Sequence, residues 1–354
     1  MSWARTLWLR AFTALVGAAL VSAALALQLH FVDVGQGDAV LIVEPGGRAV
    51  VYDAGRAAET MRDYLRHVGI DEVALVIASH GHADHIGGLP AVIDAYQPAF
   101  VLDNGVPHTT RSFERYLEAL ERSGAQLLAP ERRTIGLGDV RLHVLPSPGR
   151  PAWGHNDNSV GLLIEYGDFR ASLTGDAEAR LFDWWLETVP ELFVPVQLHE
   201  ASHHGSDNGD TSLALERLRP ELVVVSVGSD NRYGHPHDGA LARYVTVGAT
   251  VFRTDLHGTV LVAADADGSY RVTTERSVPD SPPDAVPTTE AGDCVDLNAA
   301  DLETLQTIVH IGAERAEALV QRRPLGSVED LSQVDGIGPA RLRDIFEQGL
   351  ACIR

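Results

Sequence analysis

The stretch SHGHADHIGG, residues 79–88, follows directly on the apolar run VALVIA at 73–78 and places His80, His82, Asp84 and His85 within six positions. An unbroken apolar run bounded by polar residues reads as a strand buried on both faces, and such a strand requires a sheet covered on each side. A loop leaving the strand lets side chains two apart, as at 80 and 82, converge on one point, while Asp84 and His85 aim at a neighbouring one. Imidazole and carboxylate together suit zinc, manganese or iron. The spacing therefore predicts a metal site at a strand end.

Other ligand types stand at similar places. LTGDAE puts Asp176 at the end of an apolar run, SHHGS supplies His203 and His204 after FVPVQLHEA, and RYGHPH supplies His235 and His237. Together they are the parts of a two-metal hydrolytic site, in which a carboxylate and a hydroxide bridge the ions and the hydroxide attacks phosphorus or a carbonyl carbon. Around them, LQLHFVDV, AVLIVEP and RAVVYDAG read as three successive strands joined by Gly-rich turns. ETMRDYLRHVG, LPAVIDAYQ and SFERYLEALERSG read as helices, VGLLIEYGDFRASLTGDAE as a hairpin about Gly167-Asp168, and ELVVVSVGS and TVLVAAD as further strands. Strands in both halves with helices between them predict two packed sheets covered by helices.

Composition shifts divide the chain of 354 residues. Residues 1–26 carry Arg5 and Arg10, no acid, and an apolar and small-residue run from Ala11 that leads into ALA at 24–26. This pattern reads as a cleavable secretory signal, which leaves no membrane span after cleavage and sends the protein to the periplasm or the medium. The alternative is an uncleaved anchor, since the run approaches the roughly 17–25 residues of a span. The large domain occupies 27–276, a linker with four prolines 277–292, and a compact helical unit 293–354. Cys294 and Cys352, the two cysteines, bracket that last unit and suggest a disulfide in an exported protein, or else two unrelated buried thiols. Net charge is −21, and the 28 Lys and Arg positions are all arginine. So acidic a surface argues against electrostatic capture of nucleic acid by the protein as a whole.

In finer detail, FVDVGQGDAVLI, HGHADH, NDNSVGLLIEYGDFRASLTGDAE, SHHGSDNG, NRYGHPH and RTDLHGTVLV resemble, in this order, the hydrolase domain of the ComEC family of competence DNA-uptake proteins, which has the metallo-β-lactamase fold. The resemblance runs over nearly all of 29–263 and implies an α/β fold, an αββα sandwich with the site along one edge. It implies two divalent ions, zinc or manganese: His80 and His82 on one, Asp84, His85 and His203 on the other, Asp176 between them, and His235 or His237 near the substrate. The superfamily's third motif supplies a histidine to the first metal. Here that stretch is GHNDNSV, and His155, Asn158 or a water stands in its place. Asp33 and Asp38 of DVGQGD are expected beside the site as partners that orient histidines, or as an acidic turn between strands.

The tail repeats a helix, a Gly-containing loop and a helix about every 25 residues. VDGIGPARLRDI resembles a helix-hairpin-helix DNA-binding motif, in which Gly336 and Gly338 let backbone N–H groups at a helix start face a phosphate. In the first repeat, IVHIGAERAEAL, Gly312 precedes the second helix and His310 stands where the family's hairpin has glycine. The unit resembles the helix-hairpin-helix domain of the competence receptor ComEA, which implies a small all-α domain after the sandwich. Its six arginines stand against eleven acids, yet Arg315, Arg341 and Arg343, with Arg322 and Arg323, offer a local patch for DNA.

The expectation is a secreted metal-dependent hydrolase, a phosphodiesterase or nuclease acting on DNA through a metal-activated hydroxide. Asp84, His235 and His237 take catalytic roles, and the tail holds the polymer. Two alternatives stand beside it: a metallo-hydrolase of a small lactone, thioester or phosphoester, and a non-catalytic DNA-binding protein with a degenerate metal site.

Overall fold

The computed structural model describes residues 26–277 and 295–352, apart from 326–327, 335, 339–340, 342–344, 346–347 and 349. Residues 1–25, where the expected signal falls, nearly all of the proline-rich linker, Cys294 and Arg343 lie outside the described residues. The chain divides into two compact units, 1–284 and 285–354.

In the first unit the described strands make two sheets. They are β1 (Leu27–Phe31), β2 (Val40–Val43), β3 (Ala49–Tyr52), β4 (Val73–Ile77), β5 (Phe100–Leu102), β6 (Gln126–Leu128), β7 (Thr134–Leu137) and β8 (Val140–Leu145). The series continues as β9 (Gly161–Tyr166), β10 (Phe169–Leu173), β11 (Leu198–Glu200), β12 (Leu222–Val225), β13 (Thr250–Arg253), β14 (Val260–Ala264) and β15 (Tyr270–Thr274). One sheet runs β15-β14-β1-β2-β3-β4-β5-β6, the other β13-β12-β11-β10-β9-β8-β7. Both change from antiparallel to parallel pairing part-way across, at β3–β4 and at β10–β11.

Burial explains the unbroken apolar runs. Val40 and Ile42 of β2 share the core between the sheets with Leu142, Val144, Leu162 and Ile164 of the opposite sheet. Leu41, between them, belongs to an outer layer with Met61, Leu65, Leu89 and Ile93. Those residues come from helices α1 (Thr60–His67) and α2 (Leu89–Tyr96), which with α3 (Arg111–Ser123) cover the first sheet. The second sheet is covered in the same way by α4 (Ala179–Thr188), α5 (Ser212–Leu218) and α6 (Asp238–Thr246). The result is the αββα sandwich expected from the sequence. The hairpin at Gly167-Asp168 is present, with Tyr166 opposite Phe169. The three-residue strands β5, β6 and β11 are too short to show a period, and the sequence does not announce them.

The second unit has its own core, built on Leu297, Leu305, Ala316, Leu319, Leu331 and Ile345. Val295–Asp296 pairs in parallel with Ala351–Cys352, so a short ladder joins the two ends of the helical unit. Cys352 is disulfide-bonded. The repeat is visible in the backbone: His310 and Gly336 both adopt positive φ, +64° and +84°. In each hairpin the arginine five residues on donates to that residue's carbonyl, Arg315 to His310 at 2.7 Å and Arg341 to Gly336 at 2.8 Å. A Cβ on Gly336 would lie 3.2 Å from the Arg315 guanidinium and 3.6 Å from that of Arg341. The two guanidinium groups thus meet at one hairpin, where a glycine keeps the backbone open. Gly312 precedes the helix Ala313–Gln321 as its cap residue.

Candidate metal centre

The polar residues of the site leave the ends of buried strands and meet along one edge of the sandwich. Asp53 follows β3, Ser79 and His80 follow β4, Asp176 follows β10, His203 and His204 follow β11, and Asp38 precedes β2. Gly175, at φ +53°, brings the end of β10 so near the end of β4 that a Cβ there would lie 2.7 Å from the Ser79 Cβ. That contact carries Asp176 into the middle of the histidines.

Two groups of ligand atoms result, each drawn together within 4.8 Å: His80, His82 and Asp176; and Asp38, His85, Asp176 and His204. Asp176 belongs to both. Its Oδ2 lies 3.5 Å from His80 Nε2, and its Oδ1 lies 3.3 Å from His85 Nε2 and 3.4 Å from His204 Nε2. Both oxygens of Asp38, Oδ1 of Asp176 and Nε2 of His85 and His204 are buried with no hydrogen-bond partner among the described residues. Buried polar atoms left unpaired are costly, and this set of nitrogen and carboxylate donors fits a pair of divalent cations.

The second ligand group differs from the sequence expectation. His204 stands where His203 was expected, Asp38 joins as a member of the group, and Asp84 stands outside it. The reason lies in the backbone: His203 and His204 both adopt positive φ, 51° and 57°. This turn drives His204 inward to 2% exposure, while His203 faces the cleft. Asp84 also lines the cleft, 3.7 Å from Arg56. His203 remains close, 3.8 Å from Asp176 and 3.6 Å from Glu178.

The other expected residues divide. His155 lies beside His82, ring centroids 5.4 Å apart, and stacks at 3.9 Å on His108, a residue that no motif singles out. Asn158 does not reach the ligand groups, because its amide is spent on the backbone of Arg150 and Gly154. Asp33 is also elsewhere, bonded by Arg276 at 2.6 Å. His235 lines the cleft. His237 fastens its loop instead, accepting from the Asp207 N–H at 3.1 Å and donating to the Tyr233 carbonyl at 3.2 Å.

Sequence reasoning missed the residues that hold the ligands. Asp53, fully buried, accepts from the Ser79 N–H at 2.8 Å and from His85 Nδ1 at 2.8 Å, which turns His85 Nε2 toward Asp176. The Nδ1–H of His204 donates to the Ser226 carbonyl at 2.9 Å and fixes that ring likewise. Asp210 accepts from the Ser202 N–H, the Tyr244 hydroxyl and His199, all buried, and so anchors the loop before His203. The available signal was modest: an acid closing the apolar strand in VVYDAG, and a second acid ending SDNGD.

Electrostatics separate the two groups. Burial, aided by the charge on His85, pushes His82 down to about 4 and His80 well below its ordinary range, so both are neutral at pH 7. Burial also lowers the pKa of His204, but the carboxylates of Asp38 and Asp176 outweigh it and hold the ring up to about 9. Burial of His85 is overcome in the same way by Asp176 and Asp53. Cations entering the second group must therefore displace protons. Because the folded pKa of His204 is raised, its proton stabilises the cation-free fold fully below its ordinary value and that stability is lost as pH rises through about 9. Divalent-ion affinity of this group should rise between about pH 6 and about pH 9, by about one log unit per pH unit for each proton displaced. Chelator competition at several pH values measures this, and a flat profile would refute it.

The metallo-beta-lactamase superfamily pattern matches residues 32–228, more than half of the chain. The chain belongs to that superfamily. A helix-hairpin-helix pattern matches 290–347. This metallo-beta-lactamase-superfamily chain is 26% identical over 254 residues to ComE operon protein 3 of Bacillus subtilis (strain 168), covering 66% of this chain and 32% of that protein. It is 27% identical over 242 residues to Recombination protein 2 of Haemophilus influenzae, covering 66% and 28%. The ComEC resemblance read in the sequence is thereby borne out. A 64-residue stretch is 48% identical to a protein named Deoxyribonuclease of Thioalkalivibrio sp. (strain K90mix), 18% of each chain. The chain spans about 30% of the length of these two relatives. No described helix is long and apolar enough to cross a membrane.

Proposed function

We propose that the chain is a metal-dependent phosphodiesterase acting on DNA outside the cytoplasm, with the helix-hairpin-helix unit holding the polymer. The observation that carries this reading is Asp176, whose two oxygens serve two separate histidine groups at the floor of one cleft. His80, His82 and Asp176 would hold one ion, and Asp38, His85, His204 and Asp176 the other, with His155 beside the first. Zinc or manganese there would supply Lewis acidity toward a phosphoryl oxygen and a nucleophile at neutral pH.

The chain's own residues do the rest. Asp53 and the Ser226 carbonyl keep the Nε2 atoms of His85 and His204 aimed at one carboxylate oxygen. His235, pushed down to about 4 by burial and by the imidazoles of His204, His203 and His237, stands neutral in the cleft, where it can accept a proton or offer its ring N–H as a hydrogen bond to the leaving oxygen. Arg56 offers Asp84 and an incoming phosphate the same guanidinium. The converging Arg315 and Arg341, the matched helix-hairpin-helix pattern and the name of the Thioalkalivibrio relative support DNA as the polymer.

The test is cleavage of linear DNA and of methyl p-nitrophenyl phosphate with zinc and with manganese, comparing the whole chain with one lacking 277–354. Loss of the tail should lower kcat/KM on DNA roughly 10- to 100-fold through the lost effective concentration, while small-diester turnover persists. A chain that hydrolyses the small diester and leaves DNA intact would move the assignment to a small-molecule hydrolase.

A further inference from the structure

The mouth of the cleft carries an exposed aromatic ring, with a guanidinium group bonded to it, that the bond-breaking chemistry does not use. Tyr233 is 45% exposed and lines the cleft beside Arg56, Asp84 and His203. One face of its ring rests on the His235 imidazole, centroids 5.6 Å apart and planes 24° from parallel. Arg232 lies over the ring, its guanidinium carbon 5.1 Å from the centroid, with Nη2 donating to the Tyr233 oxygen at 3.1 Å. Asn231 clamps the segment by accepting from the N–H groups of Tyr233 and His235. The ring is therefore held by His235 and by the exposed Arg232 side chain, and nearly half of the residue's surface remains open.

The arginines fit an anion. Arg56 is 57% exposed, and its ion pair with Asp84, at 3.7 Å, is too long for a strong hydrogen bond, so its donors remain available. Arg232, bonded to the Tyr233 oxygen, brings a second guanidinium beside the same ring. An aromatic face flanked by guanidinium groups is how proteins hold single-stranded nucleic acid: the ring stacks on a base and the charges follow the backbone. Within a duplex both faces of each base are already covered by its neighbours. A second aromatic and guanidinium group stands nearby in the chain: Trp153 has Arg150 at 4.6 Å and Arg180 at 5.6 Å from its ring centroid, on the loop whose Asn156 lines the cleft.

We propose that this rim selects an unpaired nucleotide, Tyr233 stacking on its base while Arg232 and Arg56 hold the phosphates beside the bond to be cut. The substrate class is then single-stranded nucleic acid or the frayed end of a duplex. The inference rests on the phosphodiesterase reading, and its test separates the two.

Full-length wild type, Tyr233→Ala and Tyr233→Phe are compared on an unpaired oligonucleotide, on the same sequence in a closed duplex, and on methyl p-nitrophenyl phosphate. Oligonucleotide binding is followed separately by fluorescence anisotropy in excess chelator. Wild type should favour the unpaired strand. Tyr233→Ala should lower the ratio of oligonucleotide to small-diester kcat/KM roughly 5- to 150-fold, mostly through KM, and weaken binding in step, while Tyr233→Phe stays within about twofold of wild type. Equal cleavage of both strand forms by wild type, or an unchanged ratio and unchanged anisotropy in Tyr233→Ala, overturns the rim while leaving the phosphodiesterase reading intact. A wild type that hydrolyses no diester sinks the phosphodiesterase reading, and the inference that depends on it.

Discussion

Replacing Asp176 by alanine should abolish hydrolysis, with kcat/KM falling at least about 10³-fold, equivalent to roughly 4 kcal/mol of transition-state stabilisation. The size follows from position. Asp176 lies 3.3–3.5 Å from one nitrogen each of His80, His85 and His204, and no other described residue belongs to both ligand groups. Burial alone would raise its carboxyl, but the imidazoles of His85, His204 and His80 hold it well below the usual range, so it is ionised across the working pH. The variant should bind fewer divalent ions than wild type by elemental analysis. Asp176→Asn, which keeps the shape and loses the charge, should show the same loss of ions and activity. Retained metal with retained activity in either variant would remove the shared carboxylate from the mechanism.

The second large effect belongs to a residue that touches neither substrate nor ion in this reading. Asp53→Ala should weaken divalent-ion binding and lower activity about 10- to 100-fold, the usual cost of removing a partner that orients a ligand histidine. Asp53 receives Nδ1 of His85 and the N–H and hydroxyl of Ser79, whose oxygen also lies 3.0 Å from His80 Nδ1. One carboxylate therefore orients a histidine of each group. Its loss strands buried donors, and the fold should lose about 1–3 kcal/mol as well. The discriminating readout is ion affinity measured at a temperature where circular dichroism shows the variant folded. Wild-type affinity in a folded variant would reduce Asp53 to a structural hydrogen bond.

Much of this is legible in the sequence for a specific reason. Ligands clustered in one short segment declare themselves: His80, His82 and His85 follow a strand whose burial on both faces is written in its composition, and all three stand in the ligand groups. Long periodic segments are equally plain, as with α3, where Thr110 caps the start and Gly124 ends it in the left-handed conformation. The tail repeat is visible as a spacing, and the backbone repeats it at His310 and Gly336.

Choices between neighbouring residues are not legible. SHHGS offers two histidines, and only the positive φ of both decides that His204 turns in and His203 turns out. DVGQGD offers two acids, and pairing of Asp33 with Arg276, 243 positions away, leaves Asp38 for the site. RYGHPH offers His235 and His237, and the Asp207 backbone claims the second. The sequence by itself determined the layered fold, the kind of centre and its approximate address, because composition, period and local spacing are properties of short segments. The tertiary structure alone decided which member of each pair joins the candidate ligand groups or their cleft, since that depends on loop dihedrals and on partners far away in the chain.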